Sequence, residues 1–475
     1  MTRRAGAAWL GLAVLTTVRL AVAGPTALSP DEAYYWVWSR ALAAGYLDHP
    51  PMVALWIRAG TALAGQGALG VRLLAPLSAA LGSVLLAQAA DDLFPERRPG
   101  VMAAALLNAT LLMGAGAVTM TPDTPLLFFW TAAIWALARA LRTGSGVWWI
   151  VAGAASGGAL DSKYTAALLG AGIALWLVAA PAGRAWLRRP WPWAGGCIAL
   201  AAFAPVLAWN AAHGWASFSK QGGRAGDWAP ADALRHVGEL LGGQAGLATP
   251  LVFVAAILGV WAASRSALKG VASAALLCAL TLPGALVFLQ HALGGRVQAN
   301  WPAILYPAAC IAAAAFVPRL NRPACILGFA VTALVYVQAE GAFALPRRLD
   351  PTLIRLGGWD EFTRDMAQQS AGATFVAADS YGLTAILARA SPIRVIGLDA
   401  RWSLFSLPEW SFDGTPGLLV WSLRKGLPNA ADWESLQPAG LVHRSRNGVL
   451  AEDYALYKVV PRPGFTAVLL PHGGT

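Results

Sequence analysis

Apolar stretches of about 17–25 residues recur through positions 1–345, and each is long enough to cross roughly 30 Å of hydrocarbon. In lipid every backbone amide needs an internal partner, so such stretches fold as helices packed into a bundle. The chain has 475 residues, of which 12% are charged. Soluble domains carry about 25%, so this charge supply suits a polytopic membrane protein. A net charge of +11 in a soluble chain would suggest a nucleic-acid partner. Here the cations sit mostly in short breaks between apolar runs, which is the positive-inside pattern, so no nucleic-acid partner is expected.

The spacing predicts about eleven spans, at 6–26, 68–90, 100–118, 124–142, 147–161, 164–181, 194–212, 246–263, 271–290, 301–318 and 324–344. Arg3-Arg4, an apolar run and "AVAG" resemble a signal peptide, but Arg19 interrupts the run, which favours an uncleaved first span. Alternate breaks carry Arg97-Arg98, Arg139 with Arg142, Arg184 with Arg188-Arg189, Arg265 with Lys269, and Arg319 with Arg322. The N-terminus is therefore expected in the cytoplasm and the C-terminus outside. Cys197, Cys278, Cys310 and Cys325 lie in or beside apolar runs without C-x-x-C spacing. They read as small buried residues rather than as a zinc or disulfide framework.

From 346 onward the composition changes. "TFVAADSYGLTAILARASPIRVIGLDARW" alternates β-branched runs with a helical pattern, as expected of a small α/β domain. The expected organisation is a membrane domain over 1–345 and an outer α/β domain over 346–475.

The breaks assigned to the outside gather acids, histidines, lysines and tryptophans, which implies a site at that face. The first of them, "LSPDEAYYWVWSRALAAGYLDHPPM", opens as a helix start. Ser29 is the N-cap, Pro30 takes the first position, and Glu32 completes an S-x-x-E capping box. One reading makes this an interfacial helix with Tyr34, Trp36 and Trp38 as an aromatic belt. Against it, Glu32 suffices for the cap and leaves Asp31 without a structural task. Asp31, Tyr34, Tyr35 and Trp38 also share one helix face. The helix N-terminus favours an ionised carboxylate, the form a general base needs.

"SPDEAYYWVWSR" followed by "GYLDHPPM" resembles the first outer loop of the membrane-embedded GT-C glycosyltransferases. The likeness is to the bacterial branch related to protein O-mannosyltransferases and the lipid A aminoarabinose transferase. It runs through the membrane region and is weak in the C-terminal domain. The resemblance makes Asp31 the catalytic acid. It places Tyr46, Asp48 and His49 where the family usually reads aromatic-acid-Lys-Pro, the lysine meeting a lipid phosphate. His49 departs from that pattern, since a histidine serves a phosphate well only when protonated.

Asp123 in "TMTPDTPLLFFW" is either a helix cap or the family's second outer acid, orienting the acceptor, a base or a metal. Lys163 in "GALDSKYTAALL" either snorkels to the interface or binds the donor phosphate. "HALGGRVQANWPAILYPA" matches the family's late outer loop. There Arg296 suits a bidentate phosphate contact and Asn300 a sugar hydroxyl, while Trp301 either lines the lipid cavity or anchors the interface. Glu32, Tyr35, Tyr46 and Asp48 join Asn300 and Trp301 as expected substrate contacts. His213, Trp215 and Arg224 are expected to shape a lid.

The resemblance implies an inverting transferase in the bacterial inner membrane, working on the periplasmic side. It would move a sugar from a polyprenyl-phosphate donor to a hydroxyl or phosphate of a lipid, glycan or protein acceptor. The sequence identifies no cofactor; some GT-C enzymes need a divalent cation and others do not, and Asp31, Asp48, Asp123 and His49 are the residues that could bind one. The alternatives are a polyprenyl-lipid flippase and a non-catalytic lipid-binding relative. A transporter would place ionisable groups near the midplane and show repeats.

Overall fold

The computed structural model describes residues 3–222 and 230–473. It divides into two compact units, each assembled from separated stretches of chain. The first comprises Met1–Leu20, Ala44–Val53 and Leu74–Ala333; the second comprises Ala21–Ala43, Ala54–Leu73 and Leu334–Thr475.

Helices make up the first unit. Across the described residues, seven helices are long and apolar enough to cross a membrane: Gly6–Ala23, Ala68–Leu93, Asp123–Thr143, Pro190–Ala212, Pro250–Leu268, Ala272–Ala292 and Pro318–Ala339. The pair Tyr164–Ala179 and Pro181–Leu187, bent by 101°, would make an eighth. Of the remaining expected spans, Val147–Leu160 and Trp301–Phe316 are shorter apolar helices. The 100–118 stretch breaks into Gly100–Asn108 and Leu111–Gly116, because Thr110 caps a new helix by accepting from the Met113 amide. Helix length alone thus supports seven or eight spans rather than about eleven.

Small residues set the packing of this unit. A Cβ added to Gly153 would lie 2.2 Å from the Gly195 carbonyl oxygen, and one on Gly259 would lie 2.4 Å from the Ala313 amide nitrogen. Backbones approach this closely in membrane bundles because lipid gives helices no hydrophobic reason to associate, leaving contact packing to do so. Leu200, Leu286 and Ile326 project outward at more than half exposure, as lipid-facing side chains do. Arg19 is buried and donates to Asn108 Oδ1 at 2.8 Å. Cys278 and Cys310 are buried and Cys325 partly so, but Cys197 is exposed on the Pro190–Ala212 helix, contrary to expectation.

The second unit carries a seven-stranded sheet: β1 Phe375–Ala378, β2 Arg394–Gly397, β3 Glu409–Ser411, β4 Gly417–Ser422, β5 Trp433–Arg446, β6 Val449–Pro461 and β7 Thr466–Leu469. The order is β3-β7-β2-β1-β4-β6-β5. β1 pairs in parallel with β2 and β4, and the outer pairings are antiparallel. Asn447 and Gly448, at φ 53° and 75°, turn β5 into β6 in the left-handed backbone an Asn-Gly hairpin requires. The helices Pro30–Arg40, Ala68–Arg72, Pro351–Arg355, Trp359–Gln369 and Tyr381–Ala390 also belong to this unit, together with most of Met52–Ala64.

Candidate active site

In the second unit, the Pro30–Arg40 helix starts as its sequence dictates. Glu32 Oε2 accepts from the Ser29 amide at 3.0 Å, and Ser29 Oγ accepts from the Glu32 amide at 3.3 Å, closing the capping box. Glu32 has a further partner. Arg72 donates from Nε to Oε1 at 2.6 Å and from Nη2 to Oε2 at 2.7 Å. The other guanidinium hydrogens reach the carbonyls of Ala23, Thr26 and Ala27. Both side chains are buried, at 1% and 0% exposure. The substrate contact expected of Glu32 therefore gives way to a structural role: its carboxylate is enclosed and already held on both oxygens.

Asp31, one residue earlier, faces the other way and is about a third exposed. Tyr381 donates its hydroxyl to Oδ1 at 3.1 Å, and Arg355 Nη1 approaches Oδ2 at 3.4 Å. Tyr34, Trp36 and Trp38 are buried, so they form no exposed belt. Tyr34 instead packs against Tyr381, Trp402 and Phe405, at ring separations of 4.6, 5.5 and 6.3 Å. Tyr35 is also buried and meets Trp38 edge-on at 5.0 Å.

The first unit holds the other expected residues. Asp123, in the first turn of Asp123–Thr143, accepts from Lys163 Nζ at 2.7 Å on one oxygen and from Asn300 Nδ2 at 2.6 Å on the other. Three segments well separated in sequence thus meet on one carboxylate. Lys163 stands just past the end of Val147–Leu160 and is 7% exposed. An ammonium has three donors, and among the described residues Asp123 is its one side-chain partner.

Asp48 pairs with Lys220, and its backbone carbonyl accepts from Gln221 at 2.7 Å. The His49 carbonyl accepts from the Tyr46 amide at 3.2 Å, which closes the turn carrying Tyr46, Asp48 and His49. The Met52 amide, just beyond Pro50-Pro51, donates to the Asp161 carbonyl at 2.9 Å and ties this loop to the hairpin that bears Lys163. Arg296 is largely exposed and pairs with Glu239 at 3.2 Å. Trp301 meets His291 edge-on at 5.5 Å. His213 stacks on Trp209 at 4.2 Å, and Trp215 is half exposed at φ 59°. Arg224 lies outside the described residues. Among the described residues, no three His, Cys, Asp or Glu side chains gather as a metal site.

Sequence reasoning missed Arg72, Lys220, Arg355 and Tyr381. Arg72 left a signal, as the one charge in the 68–90 run. An arginine there calls for a buried acid. The others had no local signature.

The chain is a multi-span, mostly helical protein with a C-terminal sheet domain, and it is similar to proteins of the GT-C glycosyltransferase fold. Residues 48–209, about a third of the chain, match the family dolichyl-phosphate-mannose-protein mannosyltransferase. The chain is 29% identical over 289 residues to the lipid A galacturonosyltransferase RgtD of Rhizobium johnstonii. That match covers 60% of this chain and 59% of the relative's length, so the chain spans well under two thirds of that curated protein. The fold matches ArnT from Cupriavidus metallidurans in the apo state, with TM-score 0.64 and 16% identity over 96% of this chain and 98% of that one. It also matches that protein bound to undecaprenyl phosphate, with TM-score 0.61 and 17% identity over 95% and 98%.

Proposed function

We propose that the protein is an inverting glycosyltransferase that takes its sugar from a polyprenyl-phosphate donor at the outer face of the inner membrane. Lipid A is the favoured acceptor class. The similarity to a lipid A galacturonosyltransferase and the fold shared with a protein that binds undecaprenyl phosphate support both assignments.

Asp31 is the general base. It takes the proton from the acceptor hydroxyl as that oxygen bonds to the anomeric carbon; the bond from that carbon to the phosphate oxygen breaks, and the phosphate leaves with the electron pair. Attack opposite the leaving group inverts the anomeric centre. Lys163 and Arg296 stabilise the charge growing on the phosphate. His49, in the turn after Tyr46, takes the place of the family's phosphate-binding lysine. Asp123 sets the direction of Lys163 and Asn300, leaving their remaining donors for phosphate and sugar.

The observation that carries this reading is Lys163, an almost buried cation at the edge of an apolar helix, with donors to spare and one acid to hold it. Mass spectrometry of lipids co-purifying with Asp31→Asn provides the test. A polyprenyl-phosphate sugar enriched over the wild-type preparation is expected, because donor would bind and not react. Its absence from both preparations would reject the donor assignment.

A further inference from the structure

The second unit brings the C-terminal α/β portion onto the carboxylate of Asp31. Tyr381 opens the Tyr381–Ala390 helix, whose N-cap is Ser380, and it donates to Asp31 Oδ1 at 3.1 Å. The phenol is held firmly. Its ring packs 4.6 Å from Tyr34, and the Arg401 guanidinium lies 3.9 Å from its centroid. Arg401 is itself tied to Asp399 at 3.1 Å.

The two helix starts also press together. A Cβ on Gly382 would lie 2.7 Å from Pro30 Cβ, so only glycine permits this approach. Farther along, Arg389 donates to the Gln66 carbonyl at 2.9 Å and lies 4.9 Å from the Trp36 ring centre. Arg355 has an exposed side chain on an anchored backbone. Asp350 caps its helix by accepting from the Thr352 and Leu353 amides, and buried Arg444 binds the carbonyls of Leu353, Ile354 and Gly357.

A carboxylate that abstracts a proton needs one oxygen held and the other free to meet the acceptor. Here Oδ1 receives the fixed phenol, while Oδ2 has, among the described residues, only the longer, solvent-facing contact to Arg355. Near-attack geometry is lost with small displacements, and a misplacement of about 1 Å costs roughly 10²-fold in rate.

We propose that the C-terminal portion completes the catalytic apparatus, with Tyr381 as the residue that positions Asp31 and Arg355 as a second, weaker clamp that yields when the acceptor arrives. This assignment rests on the reading of Asp31 as the general base.

The test uses purified full-length protein and follows consumption of the polyprenyl-phosphate sugar in a total lipid extract of the native host. Undecaprenyl phosphate binding and thermal unfolding are measured alongside. Tyr381→Phe keeps the stacked ring and removes the hydroxyl alone. It should lower apparent kcat about 10–100-fold, leaving KM, undecaprenyl phosphate affinity and the unfolding midpoint near wild type. Arg355→Gln should lower kcat by about fivefold, less than Tyr381→Phe because its contact is longer and exposed. Wild-type kcat in Tyr381→Phe, or a loss matched by equal losses in binding and stability, would overturn the positioning role. Unimpaired turnover by Asp31→Asn would instead overturn the underlying assignment of the base.

Discussion

Glu32–Arg72 and Asp123–Lys163 are both carboxylate–cation pairs, each joining residues 40 positions apart. In the first, the arginine's donors all end on protein oxygens, and neither side chain reaches solvent. In the second, the cation has a single acid partner among the described residues and the pair keeps some exposure, at 9% and 18%. A fully satisfied buried pair can bind nothing more, so its task is to fix the helix start that presents Asp31. A cation with donors remaining can still take a phosphate. The contrast separates scaffold from site better than charge, burial or neighbouring motif does.

Arg72→Met should give the largest effect, because it leaves Glu32 buried without its counter-charge. Breaking such a pair from one side costs about 3–5 kcal/mol, which thermal unfolding in detergent would register. A drop below about 1 kcal/mol would erase the contrast. Lys163→Met should cost less stability, because its pair keeps some exposure and Asn300 still donates to Asp123, and should weaken undecaprenyl phosphate binding by about 10–100-fold. That range corresponds to one charge-assisted hydrogen bond of about 1.5–3 kcal/mol. Unaltered affinity would make Lys163 as structural as Arg72.

His49 offers a smaller and sharper test. A histidine with an ordinary pKa of about 6.5 is mostly neutral above pH 7. If it contacts the donor phosphate, His49→Lys should retain substantial activity at neutral pH and lose less than wild type as pH rises. His49→Ala should weaken donor binding more than it slows turnover. Equal, pH-independent inactivation by both substitutions would remove His49 from phosphate binding.

The smallest effect belongs to Asp350. Burial raises its pKa, but hydrogen bonds from Thr352, the Leu353 amide and Gln338, with the charge of Arg446, outweigh burial and hold it below the usual carboxylate range. A depressed folded pKa contributes stability above the unfolded value of about 3.9, and that stability is lost as pH falls further. Wild type should therefore lose stability between pH 5 and pH 2 that Asp350→Asn does not lose. Parallel pH profiles for the two proteins would remove Asp350 as the source.

What could be read in the chain was whatever local spacing encodes. The capping box of Ser29 and Glu32 needs four residues and is present with both bonds. The strands at 375–378 and 394–397 and the helix between them follow from alternation and periodicity over short windows. The break at Thr110 was missed because apolar content alone does not reveal a cap inside a run. Long-range partners were beyond reach. Tyr381 lies 350 positions from Asp31, and nothing in "DSYGLT" distinguishes its hydroxyl from that of any helix-starting tyrosine. The buried aromatics of Pro30–Arg40 misled for the same reason, since a helix face covered by distant chain reads like a face meant for the membrane interface.

Adjacent acids with opposite fates allow the most direct test: sugar transfer by Asp31→Asn and Glu32→Gln, measured side by side at a temperature where both remain folded. Asp31→Asn should lose about 10²–10⁴-fold in turnover, the usual cost of a positioned general base, with its unfolding midpoint close to wild type. Glu32→Gln should unfold more easily yet retain turnover per folded molecule. An inactive, stable Glu32→Gln beside an active Asp31→Asn would contradict the assignment of base and scaffold.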